Sequence, residues 1–202
     1  MNEIILKGVV VSDLEFSHEF SGEKFYEFKL QSKRLSGISD VLKCLISEIY
    51  IEKIKKGSYI VTKAMVRTYN NRNNKKLDVF VFISDKPTVG EYEEDLMDIN
   101  EVTVEGYICK QMPFRKTPLG REVTDFIVAV NRAYGKSDYI PVIAWGRNAK
   151  RTSLLPVGSK VKIKGRLQSR EYQKRLEDKI ENKVAYELSA RTVLDITDME
   201  DN

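Results

Sequence analysis

The chain has 202 residues, 42% of them hydrophobic and 32% charged, with a formal net charge of +4, one histidine and two cysteines. That length allows two small cores, no apolar run approaches the ~20 residues of a membrane span, and His18, Cys44 and Cys109 are too few for the usual metal-ligand sets. The charge is uneven: residues 1–98 hold 15 Lys+Arg against 16 Asp+Glu, whereas residues 99–202 hold 19 against 14.

The opening segment, NEIILKG at 2–8, reads as a strand and not as a charged leader. It returns as NEVTVEG at 100–106, a shift of 98. The same shift pairs Gly22 with Gly120, Phe28 with Phe126, Arg34 with Arg132, and Ser39-Asp40 with Ser137-Asp138. After a three-residue slip, KKGSYIVTKAMV at 55–66 matches PVGSKVKIKGRL at 156–167. A repeat of this length is a small domain and not a solenoid unit. Within the first copy, SEIYIEKIKKG occupies a helix slot and NNRNNKK a hairpin tip. The acidic run VGEYEEDLMD at 89–98 reads as a solvated connector.

In the second copy, strand one lies near Val102–Cys109. Strand two is REVTDFIVAVNR, where Phe126, Val128 and Val130 share a face by the two-residue period. After the turn AYGKSD comes strand three, YIPVIAW, in which Pro141 removes a ladder donor and predicts an edge or a bulge. GRNAKRTSLL is a short helix stopped by Pro156. Strand four, SKVKIKGRLQSREY, and strand five, VAYELSARTVLDI, flank a charged hairpin tip, QKRLEDKIENK. Five strands with a helix between the third and fourth is the order of an OB-fold barrel. The predicted fold class is therefore mainly β: two tandem five-stranded OB barrels at 1–88 and 99–196, joined by the linker 89–98 and followed by an acidic tail at 197–202.

Strand four of the second copy places Lys160, Lys162, Lys164 and Arg166 on one face, opposite Val161, Ile163, Gly165 and Leu167. Arg170 and Tyr172 continue that face if the register holds. Four like charges in a row suit a polyanion, although lysines also keep a sheet edge from aggregating. On strand three, Tyr139 and Trp145 share a face, and Tyr134 stands in the preceding turn. Rings interleaved with cations suit single-stranded nucleic acid, because each base stacked on a ring contributes ~1–3 kcal/mol with little sequence preference. The other reading of Tyr139 and Trp145 is as core residues.

NEVTVEG, DFIVAVNR, SDYIPVIAWGRNAK and LLPVGSKVKIKGRLQSREY, in that order, cover nearly all of residues 100–172. With these blocks the second copy resembles the bacterial replicative single-stranded DNA-binding protein family. The resemblance implies base stacking by four aromatic positions, which fall here on Tyr134, Tyr139, Trp145 and Tyr172, with phosphates tracked by the strand-four cations and by Arg132, Arg147 and Arg170. Their counterparts in the first copy are Ser36, Val41, Ser47 and Asn71, none aromatic. The outward row of its fourth strand, Tyr59, Val61, Lys63, Met65, Arg67 and Tyr69, is more apolar than a solvated face, which suits a scaffold and dimerisation role. The family acts as four OB domains, so two per chain imply a homodimer. Its flexible tail with an acidic tip and terminal aromatic has only DITDMEDN as a counterpart, without the aromatic, which weakens the implied recruitment of replication proteins. The resemblance implies no cofactor and no catalysis, and with two unpaired cysteines it points to a cytoplasmic protein. Two rivals remain at this stage: an interaction module of the primosome-accessory kind, and an RNA-binding OB protein.

Overall fold

The computed structural model describes residues 1–71, 76–90, 97–176 and 179–197. Residues 72–75 and 177–178 of the expected hairpin tips, 91–96 of the linker and 198–202 of the tail lie outside the described residues. The first copy is built from β1 (Asn2–Val10), β2 (Glu15–Phe20), β3 (Glu23–Lys33), β4 (Ser39–Ser47), β5 (Tyr59–Asn71), β6 (Lys76–Ile83) and β7 (Thr88–Gly90). The second comprises β8 (Ile99–Gln111), β9 (Arg115–Lys116), β10 (Glu122–Asn131), β11 (Ser137–Trp145), α1 (Arg147–Ser153), β12 (Lys160–Leu176) and β13 (Lys179–Asp195).

Each copy closes on itself. β1 pairs with both β5 and β3, and β4 joins β6 in parallel; β8 likewise pairs with β12 and β10, and β11 joins β13 in parallel. These are five-stranded OB barrels. The short β2 and β9 extend the β3 and β10 arms, while β7 resumes the fifth strand against β5. The period of two is visible in burial: Ile4, Leu6, Val102, Val104, Phe126, Val128, Ile140, Val142, Val161 and Ile163 all point inward.

The first strand bends to reach two partners, which requires a residue without a Cβ. A Cβ on Gly8 would stand 2.1 Å from the Gln31 carbonyl oxygen, and one on Gly106 would stand 2.4 Å from that of Ala129. The two copies differ in the helix slot. α1 forms in the second, with Ala149 and Thr152 buried, but the first has only a 3-10 turn at Glu48–Tyr50, which the Ser47 hydroxyl caps by accepting from the Ile49 N–H. Ile49, Tyr50 and Ile51 all disfavour a longer helix. No helix among the described residues is long and apolar enough to cross a membrane. At Pro141 there is no bulge: the β10–β11 register runs through the Ile127–Pro141 pair without a shift. The parallel ladder to β13 starts only at Val142, so the missing N–H falls just beyond it.

The copies meet along β1 and β8, which pair antiparallel from Asn2–Val104 to Lys7–Ile99. This ladder is symmetric about the Ile4–Val102 pair, two residues that are themselves related by the repeat. Asn2 donates to the Val66 carbonyl at 2.7 Å and accepts from its N–H at 3.0 Å, and Asn100 does the same with Leu167 at 2.7 and 3.0 Å. Across the seam, the buried Asp40 carboxylate holds Arg34 through two hydrogen bonds of 2.6 and 2.7 Å and accepts from the Ser169 N–H at 3.1 Å. The buried Asp138 carboxylate accepts from the Thr68 N–H at 2.7 Å and pairs with both Arg67 at 2.9 Å and Arg132 at 2.8 Å. The Val41 N–H donates to the Ser169 hydroxyl, and the Tyr139 N–H to that of Thr68. One chain thus contains a pseudo-twofold, isologous interface.

Candidate nucleic-acid interface

β11 turns Ile140, Val142 and Ala144 into the barrel and buries Asp138 in the seam, which leaves Tyr139, Pro141, Ile143 and Trp145 on the outer face. Tyr139 is 48% exposed and Trp145 is partly buried at the other end of the row. Six residues of extended chain separate them by roughly 20 Å. Tyr134 precedes the row in a tight turn, with a positive φ of 62° and its side chain almost fully exposed. Neither Tyr139 nor Tyr134 is a core residue.

Beside this row, Pro141, Ile143 and Trp145 join Gln168, Arg170 and Glu187 in a groove of about 470 Å³. Gln168 donates to Glu187 at 2.8 Å, and the Arg170 guanidinium stands 3.6 Å from the same carboxylate. A neighbouring groove of about 640 Å³ contains Pro141, Arg170, Tyr172, Lys183 and Tyr186. There the Arg170 guanidinium lies 5.9 Å from the centre of the Tyr172 ring, within reach of a cation–π attraction. Burial pushes the Tyr186 phenol up, so it stays a neutral donor. Arg170 and Pro141 therefore link Trp145 to Tyr172, while Tyr134 and Tyr139 extend the same strand in the other direction.

The cation row of β12 alternates inside and outside as expected, but the barrel divides it. Lys160 lies over the Tyr107 ring on β8, at 5.9 Å, and Lys162 pairs with Glu105 on β8 at 2.7 Å. That hydrogen bond from Lys162 holds the Glu105 carboxyl below the usual range. Lys164 is exposed, and Arg166 lies on the Trp145 side of the barrel. Arg132 is also placed differently from the sequence expectation. Its guanidinium is paired with Asp138 and donates to the Thr68 carbonyl at 3.2 Å, so it belongs to the seam between the copies. Arg147 is exposed at the start of α1. In the first copy Tyr59 shares the outward side with its β1 partner Val9 but is covered: it is 3% exposed, lies 5.5 Å from the Lys7 ammonium and donates to Asp98 at 2.9 Å. Sequence reasoning missed Lys110 at the end of β8 and Arg115 and Arg121 of the β9 arm, which reach the groove region; for the two arginines the basic, turn-rich run RKTPLGR was the available signal.

The equivalent face of the first copy has another chemistry. Tyr69, Phe80, Phe82 and Leu45 line it, and its cations are matched: Lys43 by Glu27 at 2.9 Å, and Arg67 and Arg132 by Asp138. Val41 and Ser47 stand where the second copy has Tyr139 and Trp145, and Ser47 is buried against Glu23.

Residues 99–195 match the model described as the single-strand binding protein family. The single-stranded DNA-binding protein of Clostridium tetani is 35% identical over 82 residues, covering 37% of this chain and 57% of that protein. Single-stranded DNA-binding protein A of Bacillus subtilis is 34% identical over 82 residues, covering 37% and 48%. The chain thus spans about half the length of the curated relatives it matches. Over nearly its full length it is similar to the wild-type single-stranded DNA binding protein from Thermus aquaticus, with a TM-score of 0.72, 20% identity, and coverage of 96% of this chain and 92% of that one. At that identity the likeness shows the fold. The matched span is the same barrel that carries the aromatic row and its grooves, and it is this second copy, residues 99–195, that is similar to the single-strand binding protein family.

Proposed function

We propose that this chain binds single-stranded DNA, without catalysis and with little sequence preference, and shelters it during replication, recombination or repair. The observation that carries this reading is the outward row from Tyr139 to Trp145, continued by Tyr134 and bordered by Arg170 and Tyr172. Bases stack on these four rings, while Lys164, Arg166, Arg170 and Arg147 track phosphates. Lys160, Lys162 and Arg132 stand outside this set because their neighbours are Tyr107, Glu105 and Asp138. A duplex has no free base faces to offer the rings, so it binds weakly by comparison.

Trp145 is the only tryptophan, which makes it a direct reporter. Titration with oligo-dT is expected to quench its fluorescence strongly and in a salt-sensitive way, and a matched duplex is expected to quench it little. Stronger binding of oligo-U than of oligo-dT would move the assignment to RNA. In an anisotropy assay with labelled oligo-dT, Trp145→Ala is expected to lose ~1–3 kcal/mol of binding energy; an unaffected variant would refute stacking at this position.

The same reading includes assembly of two chains into a four-barrel particle. The partly aromatic, charge-balanced face of the first copy supports this, with Tyr69 exposed on the same groove as Leu45, Phe80 and Phe82. Sedimentation equilibrium of the full chain tests it: a mass of two chains is expected, and a monomer at micromolar concentration would remove the assembly from the proposal.

A further inference from the structure

Trp145 also borders a groove of about 500 Å³ formed where the two copies meet. Four arginines line it: Arg121, Arg166 and Arg170 from the second copy and Arg34 from the first. The other lining residues are Ile38, Gln168, Ser169 and Ser189, so its described lining contains no carboxylate. Asp40 holds Arg34 from behind, and Glu187 approaches Arg170 at 3.6 Å. Arg166 shares an adjoining groove with Arg34 and Arg191, and its Nε is buried without a hydrogen-bond partner. Burial lowers the pKa of its guanidinium, and the like charges of Arg34 and Arg191 lower it further against the opposing pull of Asp40. Guanidinium groups gathered on a neutral lining repel one another unless an anion sits among them, and their planar forks match phosphate oxygens.

We propose that this groove seats the phosphodiester backbone of the bound strand beside Trp145, and that the first copy takes part in binding through Arg34 although it lacks the stacking rings. The proposal rests on the single-strand reading above and adds Arg34 and Arg121 to the contact set. It also gives the strand a direction, from the aromatic row of the second barrel onto the junction between the barrels.

The test uses the full chain and oligo-dT, with affinity measured across a salt series. Each phosphate contact contributes ~0.7 to the slope of log affinity against log salt for a single strand. Arg121→Gln, at an exposed position, and Arg166→Gln are each expected to reduce the slope by ~0.7, with Trp145 quenching at saturation retained. Arg34→Lys keeps a charge beside Asp40 but loses the fork; it is expected to retain the slope and weaken binding several-fold. Unchanged slopes in both glutamine variants, with quenching intact, would overturn the seat and leave base stacking standing. Unchanged affinity in Arg34→Lys would remove the first copy from the contact set. Failure of oligo-dT to quench the parent chain would overturn the single-strand reading, and the seat with it.

Discussion

Asp138 has the most demanding environment of any single residue. Its carboxylate is fully buried and compensates two guanidinium groups, from Arg67 and Arg132, as well as the Thr68 N–H. Removing one partner of a buried ionic group leaves the others uncompensated, at a cost of about 3–5 kcal/mol. Asp138→Ala is therefore expected to destabilise the chain by that amount in urea unfolding. Asp40→Ala should cost less, because among the described residues Asp40 forms an ion pair with Arg34 only. Equal losses would mean that Arg67 contributes nothing at the seam. The pairing of Arg34 with Arg132 and of Asp40 with Asp138 was legible as a repeat. Its purpose was not, because the N–H groups that complete each cluster come from the opposite copy, far away in sequence. For the same reason Arg132 read as a phosphate contact. Lys162 shows a milder case: Glu105 has its folded pKa lowered by Lys162, so the pair stabilises the fold above the ordinary carboxylate value of 4.5 and loses that contribution as pH falls through the lowered one. At this part-exposed site the gain is below ~1 kcal/mol. Lys162→Met should show the loss at pH 7 and a shrinking difference as pH falls through the lowered value in urea unfolding; a gap that persists once the carboxyl is protonated would assign it to packing of the lysine stem.

At the scale of elements, β12 shows what a period of two can and cannot tell. Alternation separated inward from outward residues along its described length, and burial follows that pattern through Leu167. It carried no information about which side of a closed barrel each outward residue faces. The β12–β13 register shifts between Lys164 and Gly165, and a Cβ on Gly165 would stand only 2.1 Å from the Ser189 carbonyl oxygen. Before this bulge Lys160 and Lys162 lie against β8; beyond it Arg166 and Arg170 border Trp145. The extra residue is Arg191 on β13, so β13 bulges there while β12 keeps its alternation; the row is divided because β12 pairs with β8 only as far as Gly165. Gly165→Ala forces a Cβ into that contact. Overpacking of this kind typically costs ~1–3 kcal/mol, which thermal unfolding would register. The same variant is expected to weaken oligo-dT binding, since Arg166 and Arg170 follow directly. Normal affinity in a destabilised variant would show that the bulge serves packing only. β11 was more fully legible, because its outward residues lie on one nearly continuous face and Pro141 leaves the β10 register intact.

For the whole molecule, what the two copies share and what they do not share answer to different demands. Arg34 and Arg132, and Asp40 and Asp138, serve both halves of a pseudo-twofold seam, while Gly8 and Gly106 let the first strand close each barrel and Asn2 and Asn100 tie that strand to the fourth within each copy. The four rings and the Arg166 and Arg170 beside Trp145 have no like counterparts in the first copy, which carries Ser36, Val41, Ser47, Asn71, Met65 and Tyr69 at those places. This symmetry leads to an expectation for the second copy alone. Without residues 1–98, the β8 edge that pairs with β1 over Ile99–Val104 loses its partner, and open edges recruit other strands. Another β8 fits: Val102 would meet itself on the twofold, as it now meets Ile4, with Asn100 opposite Val104. Ser169 carries the N–H and hydroxyl that Thr68 offers to Asp138 and Tyr139. Within the Asp138 cluster only Arg67 is lost, replaced at that place by Gln168. The fragment 99–202 is therefore expected to sediment as a dimer, and to dissociate on dilution, because the intramolecular seam enjoys an effective concentration that two separate chains lack. The dimer would carry two aromatic rows and two copies of the Trp145 groove, so its oligo-dT stoichiometry per chain should match the parent. A fragment that stays monomeric at high concentration would show that the seam depends on residues specific to the first copy, with Arg67 the first to test by restoring it as Gln168→Arg.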